Sequence, residues 1–356
     1  MRILVGTAAL VWLMTVARTV LLPLVVAVLV WFVLSAVSKK IVSLAPSAVR
    51  RGKTAARIVS VTGVLLLMVL VGVVVRDNVS TLVANMDLYR TNLDAIVASL
   101  SVQASPFRQL DFEAMVAQLD LRALALKLAG SGAAYLASLF TVLIYLIFVF
   151  TEADAFAAKL RGLSQSPEQH VRLQRSVSRI KASIDDFFSG TVTIGLVQAV
   201  PTFVILWLVG VDAPVLWAVL IFLFSFIPTI GTIFGIVFPV VMTALQFAAW
   251  EPTVIVLATL GTIQIASTNL LLPRLMSRSL NLSPLVVMFA VFAGAAIWGI
   301  VGALVAVPAL TMALIVCMEN PKLRWVAVLL SANGDVGHAR VDEAEGALPR
   351  DTEERR

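Results

Sequence analysis

Apolar runs of membrane-spanning length recur from Ile3 to Met318, and they leave no room for a large water-soluble domain. A helix needs roughly 20 apolar residues to cross the hydrocarbon layer. The 356-residue chain is 60% hydrophobic and 13% charged, with a mean hydropathy of +0.98, far more apolar than an ordinary soluble domain. The expected fold class is therefore all-α, a polytopic integral membrane protein with about eight transmembrane helices. Arg2 followed by Ile3 to Val16 has the outline of a signal peptide, but a second apolar run follows at once from Thr19 to Val37 and the pair reads as a hairpin.

Charge fixes the orientation. Between Lys39 and Arg57 lie six basic residues, Lys39, Lys40, Arg50, Arg51, Lys53 and Arg57, and no acidic one. A basic loop between two spans is the positive-inside signature, so the net charge of +6 points to a bilayer partner and not to nucleic acid. Cys317 is the single cysteine, and His170 and His338 are the only histidines. No internal disulfide is possible, and neither a metal site nor a cofactor is expected.

With that loop inside, Ala56 to Val75 leads outward and Asp77 to Leu128 lies outside. Met86, Tyr89, Leu93, Ile96 and Leu100 fall at helical spacing, as do Leu121, Leu124 and Leu128, with a break near Ser105-Pro106; these predict outer amphipathic helices. Ala133 to Phe150 returns inside. Ser166-Pro167-Glu168 is a strong helix start, opening an interfacial helix that feeds a span from Thr191 to Val211. The resulting parts are 1–76, transmembrane helices with the basic loop; 77–130, the outer helices; 131–190, a span and a cytoplasmic helix; 191–318, a transport core; and 319–356, a cytoplasmic tail, disordered from about Ala332 by its polar, charge-rich composition.

The core departs from plain spans. Pro214 to Ala249 is overlong and interrupted by Phe226-Ile227-Pro228-Thr229-Ile230-Gly231, then by Gly235 and Pro239. Leu285 to Val316 is interrupted by Gly294, Gly299, Gly302 and Pro308. Each is expected to form a hairpin, re-entrant or fully crossing, opened by Pro214 or Pro284 and closed by Pro239 or Pro308. Two Gly/Pro-broken segments in corresponding positions are the best sequence pointer to a transporter's site. Between them, Thr253 to Leu272 reads as a clean span.

Helix breaks release backbone groups, which are tolerated at membrane depth only against protein or a water-filled cavity. Pro228, Gly231, Gly299 and Gly302 are accordingly expected to shape a polar cavity, with Pro239, Pro273 and Pro308 as further hinge points. Gln264, Thr268 and Asn269 on the intervening span, with Thr229 and Thr232 at the first break, are candidates for hydrogen-bonding a small polar solute or neighbouring helices. Arg274 and Arg278 can attract an anion or anchor the inner surface. The carboxylates an ion antiporter needs are scarce: Asp212 and Glu251 at span ends, and Asp185-Asp186 before a span. No catalytic motif and no phosphate-binding loop is present, so the chain reads as no enzyme, with facilitated or secondary transport. A monovalent cation/proton antiporter and a non-transporting membrane scaffold are the alternatives.

At these residues the chain resembles the autoinducer-2 exporter family of bacterial membrane proteins. Phe226 to Gly231 with Pro239 is similar to the family's aromatic-Ile-Pro-Tyr-Ile-Gly turn and following proline. Asn269 through Pro284 resembles its Asn-x-x-x-Pro-Arg motif, and Gly299 to Pro308 its terminal Gly-x-x-Gly-x-x-x-Ala-Val-Pro. Thr229, Thr268 and Ser277 depart from the family's usual tyrosine, acid and glycine; the missing acid at Thr268 weakens a cation-coupled mechanism. The resemblance implies a multi-pass protein of the bacterial inner membrane that exports a small polar solute in quorum sensing and assembles as a homo-oligomer, a pentamer.

Overall fold

A computed structural model describes residues 12–44, 80–103, 132–163, 166–228, 230–271, 281–320 and 322–334, with isolated positions at 6, 9, 72–73 and 77–78. Every regular element among the described residues is a helix. In chain order the principal helices are α1 (Arg18–Leu44), α2 (Met86–Gln103), α3 (Gly132–Leu163), α4 (Pro167–Val209), α5 (Pro214–Phe224), α6 (Ile230–Phe247), α7 (Trp250–Ala266), α8 (Pro284–Glu319) and α9 (Arg324–Leu330). Four stretches among the described residues are long and apolar enough to cross a membrane: Arg18–Ala36, Gln169–Val209, Trp250–Leu271 and Pro284–Met318. The expected span from Ala56 to Val75, the break near Ser105-Pro106, the helix around Leu121 to Leu128 and the tail beyond Gly334 lie wholly or largely outside the described residues.

Two compact units divide the chain, one of Met1–Ala157 with Asp185–Arg278, the other of Ala158–Ile184 with Ser279–Arg356. In the first, α1 packs on α3 through Ala27, Val142 and Leu146, ringed by Trp31, Leu34 and Tyr145. Lipid tails are as apolar as leucine, so helices in a bilayer associate by close packing, and a small residue such as Ala27 lets backbones approach. Aromatic rings extend this contact: Phe32 stacks on Phe188 of α4 at 5.1 Å between centroids, and Phe188 meets Phe226 at 6.1 Å. A second cluster joins Tyr89 of α2, Leu206 and Val211 at the end of α4, Met242 of α6, and Val256 and Leu260 of α7.

Three expectations are revised. The interfacial helix and the span after it are one helix, α4, of 43 residues; it is capped as the sequence predicts, with the Gln169 amide donating to Ser166 Oγ at 3.2 Å. The change in polarity along it looks like a boundary, but no residue there breaks the backbone ladder. Pro239 and Pro308 do not close their segments. Each lies buried inside a helix that runs on, to Phe247 and Glu319 respectively, and nearby hydroxyls return to the backbone, Thr243 to Pro239 O at 2.7 Å and Thr311 to Val307 O at 2.9 Å. Finally, α7 does not finish as a plain helix: Ser267–Leu271 continues it as a π-helical turn.

Candidate functional site

Both interrupted segments reverse the chain. Within α8, Trp298 (φ −126°, ψ 17°) and Gly299 (φ 62°, ψ −143°) leave helical geometry. Residues eight apart in a continuous helix are separated by about 12 Å. Yet a Cβ built on Gly302 would lie 2.0 Å from the Gly294 carbonyl oxygen, and one on Gly294 2.5 Å from that of Gly302. The two arms therefore touch backbone to backbone. The first segment repeats the device: α5 ends at Phe224, residues 225–228 turn, and a Cβ on Gly231 would fall 2.0 Å from the Phe224 carbonyl oxygen. Gly231 and Gly302 are thus required by packing at the reversals, a reason beyond the release of backbone groups expected from their breaks. Phe224, Phe234 and Phe238 zip the first pair of arms, the last two stacked at 5.0 Å.

Of the expected solute residues, Gln264 is buried at 7% exposure, Thr268 and Asn269 are exposed and Thr232 is half-buried. Asn269 Nδ2 donates to Ile265 O at 3.0 Å. Val256, Leu260, Gln264 and Ser267 form the buried stripe of α7, which turns from apolar to polar at its end. α6 and α7 are antiparallel neighbours joined through Ala248 and Ala249, so that polar end lies level with the start of α6 beside the first reversal. Counted at about 1.5 Å per residue from the α6–α7 corner, Gln264 and Asn269 stand at about the level of Gly231 and Thr232 within one unit. Gly299 and Gly302 belong to the other unit. Thr229, Pro273, Arg274 and Arg278 lie outside the described residues.

The acids diverge. Glu251 is exposed in the first turn of α7, where a negative charge suits the helix dipole. Asp186 is exposed and Asp185 half-buried on α4. Asp212, at the corner between α4 and α5, is the centre of a hydrogen-bonded clasp. Its Oδ2 accepts from Asn85 Nδ2 at 2.8 Å and from Tyr89 Oη at 2.6 Å. Its amide donates to Gln246 Oε1 at 2.6 Å and its carbonyl accepts from Trp217 Nε1 at 2.9 Å. Gln246 Nε2 in turn donates to Gly210 O at 2.8 Å, while Asn92 of α2 donates to the carbonyls of Leu245 and Gln246. Burial, then the hydrogen bond to Asp212, pushes the Tyr89 phenol above its ordinary range, so it stays protonated and donating at neutral pH. Helix α2 is thereby fastened to the corners flanking the first hairpin. Beside the clasp, Leu82, Met86, Trp217, Phe238 and Met242 line a cavity of about 250 Å³ with Arg90 among its lining residues.

Sequence reasoning missed two parts of this. Tyr89 reads as one more member of an apolar stripe, and Asn85 and Gln246 carry no motif. Ser267 lies inside the polar run Gln264 to Asn269 and shares Gln264's face at a spacing of three, a signal that was available. Among the described residues, Ser267 Oγ is the one buried side-chain nitrogen or oxygen without a hydrogen-bond partner. Leaving such a group unsatisfied costs about 1–3 kcal/mol. No cluster of three or more metal-ligating side chains occurs among the described residues.

Large apolar side chains cover the outer faces of these helices, Trp207, Leu208, Leu285 and Phe289 all being more than 60% exposed. Apolar surface on that scale is stable against lipid, not water. Apolar helices with two glycine-built reversals and a buried polar helix end make a multi-pass membrane protein of transporter construction. Residues 1–320 match the family model of the AI-2E family transporters, and the chain belongs to that family. It is 26% identical over 197 residues to the AI-2 transport protein TqsA of Escherichia coli (strain K12), covering 55% of this chain and 56% of that protein. It is 28% identical over 233 residues to the provisionally assigned transport protein YhhT of the same strain, covering 65% and 64%. A provisionally assigned transport protein of Borreliella burgdorferi is 30% identical over 175 residues, covering 49% and 48%. The chain spans about half to two thirds of the length of these curated relatives.

Proposed function

We propose that this chain exports a small polar solute across the bacterial inner membrane, with autoinducer-2, the solute in the name of its relative TqsA, as the substrate to test first. The observation that carries the reading is the pair of glycine-built reversals, each interrupting an apolar segment, the architecture that places transporter sites. The polar end of α7 and the first reversal make the solute path, with Gln264, Asn269 and Thr232 as contacts. The reversals are re-entrant. α5 has 11 residues, about 16 Å of helix, and residues 284–297 extend about 21 Å, both short of a hydrocarbon layer of about 30 Å.

In this reading the chain has about eight membrane-embedded segments, the two re-entrant reversals counted among them, divides at the boundaries expected from its sequence except at 190/191, which falls inside α4, keeps its basic loop in the cytoplasm and works as a homo-oligomer, a pentamer. It performs no catalysis. Engagement of Asp212 by Asn85 and Tyr89 removes one of the few carboxylates available for ion exchange, which favours solute export over antiport.

The test is efflux of radiolabelled autoinducer-2 from proteoliposomes holding the purified protein, with and without a sodium or proton gradient, against Asn269→Leu. Wild-type efflux without a gradient, reduced at least tenfold in the variant, is the expected result. Absence of solute flux together with proton-driven sodium uptake overturns it in favour of the antiporter.

A further inference from the structure

Hydroxyls buried within apolar helices have a standard outlet, the carbonyl one turn back. Thr202 donates to Gln198 O at 2.7 Å, Thr243 to Pro239 O at 2.7 Å and Thr311 to Val307 O at 2.9 Å. Ser267 departs from this pattern. It is 1% exposed, within the range of the three threonines, and its Oγ has no partner. It also opens the π-helical turn Ser267–Leu271, a helix irregularity that recurs at functional sites. One turn earlier on the same buried stripe stands Gln264, 7% exposed, whose amide supplies both a donor and an acceptor. The charge on α7 is remote: Glu251 lies 13 residues from Gln264, about 20 Å along the helix.

We infer that Ser267 and Gln264 together form the seat for a hydroxyl group of the transported solute, with Ser267 as the specificity-determining residue. The inference rests on the export reading above and adds a residue and a selection rule to it. A serine hydroxyl and a carboxamide side by side offer donors and acceptors without net charge, which matches a neutral hydroxyl that must give one hydrogen bond and accept another. Occupancy satisfies the one described side-chain oxygen that the fold leaves unpaired. A deoxy analogue leaves it unpaired still, and sites built to bond a hydroxyl discriminate strongly against analogues that lack it.

Two measurements on Ser267→Ala test this, with Thr262→Ala, whose hydroxyl is exposed and bonded to Ala258 O, as control. In proteoliposomes, Ser267→Ala is expected to raise the KM for autoinducer-2 by about tenfold or more with maximal rate within about twofold, while the control leaves both unchanged. In detergent, unliganded Ser267→Ala is expected to melt at or above the wild-type temperature, because an unpaired buried hydroxyl has been removed, and to lose the rise in melting temperature that autoinducer-2 gives the wild type. An unchanged KM with a lower melting temperature overturns the proposal and makes the hydroxyl structural. Should the wild type move no autoinducer-2, the export reading fails by itself; the seat is then decided by D-ribose and glycerol. A Ser267-dependent rise in melting temperature with either upholds a hydroxyl seat, and no rise overturns it.

Discussion

The first chain reversal, between α5 and α6, and the second, inside α8, bring two helical arms into the same glycine-to-carbonyl contact by different routes. In the first, residues 225–228 form the turn, Pro228 among them, and Gly231 contacts the end of the preceding arm while lying in α6. In the second, two residues suffice, because Gly299 takes a conformation (φ 62°, ψ −143°) that a residue with a Cβ rarely adopts. Their entrances differ as well. Pro214 is preceded by Ala213 in the left-handed region (φ 57°), an unfavourable state for alanine, beside the clasp of Asp212, Asn85, Tyr89 and Gln246. Pro284 is preceded by Ser283 in relaxed extended backbone, held by its amide on Leu330 O at 2.9 Å and by Asn281 on Asn333 and Ala332. Contact geometry is common to both reversals. Turn chemistry and entrance chemistry are particular to each.

The largest expected effect tests what is common. Gly231→Ala and Gly302→Ala each drive a methyl to 2.0 Å from a backbone carbonyl oxygen, which no rotamer relieves. Each is expected to destabilise by more than about 4 kcal/mol, with loss of folded protein on size-exclusion chromatography of detergent extracts. If one folds normally, the two contacts are not equivalent and the repeat is only a likeness of sequence.

A smaller effect separates the turns. Nothing lies within 4 Å of a Cβ on Gly299, so Gly299→Ala meets no clash and pays only for its backbone conformation, about 1–3 kcal/mol. The expected outcome is a folded protein with a lowered melting temperature, in contrast to Gly302→Ala three residues on. Equal damage from both substitutions would mean that space, not conformation, dictates glycine at 299.

Both breaks were legible because proline and glycine disturb an apolar run visibly, and the start of α4 because Ser166-Pro167 announces it. The clasp was not, since Asn85 and Gln246 lie 127 and 34 residues from Asp212 and reach it only after folding. Asp212 therefore looked like one of a few acids available for ion coupling. The unity of α4 was hidden for the opposite reason: the sequence changes polarity where the backbone changes nothing. Ser267 stood within a polar run already suspect, but a serine in an apolar helix ordinarily bonds its own backbone, and only the folded structure shows that the Oγ of this one is buried without a partner.

The last effects, the smallest of them at Asn281, concern the entrances, and they carry a pH signature because one entrance is built on a phenol and a carboxylate and the other on neutral amides. The folded-state pKa of Tyr89 is raised above its unfolded value, first by burial and then by the hydrogen bond to Asp212. Its contribution is therefore fully present below about pH 10, the ordinary tyrosine value, and is lost as pH climbs from there towards the raised folded value, since only the unfolded chain gives up the proton readily. Tyr89→Phe removes a hydrogen bond to a carboxylate, so at neutral pH it is expected to cost about 1.5–3 kcal/mol and to flatten the alkaline fall in melting temperature between about pH 9 and 11. Asn281→Ala, at the other entrance, is expected to cost about 1 kcal/mol and to leave that fall as steep as in the wild type. Melting curves of the three proteins across this range decide the matter. An alkaline slope that survives Tyr89→Phe would show that ionisation of the Tyr89 phenol is not what loosens the clasp beside Ala213.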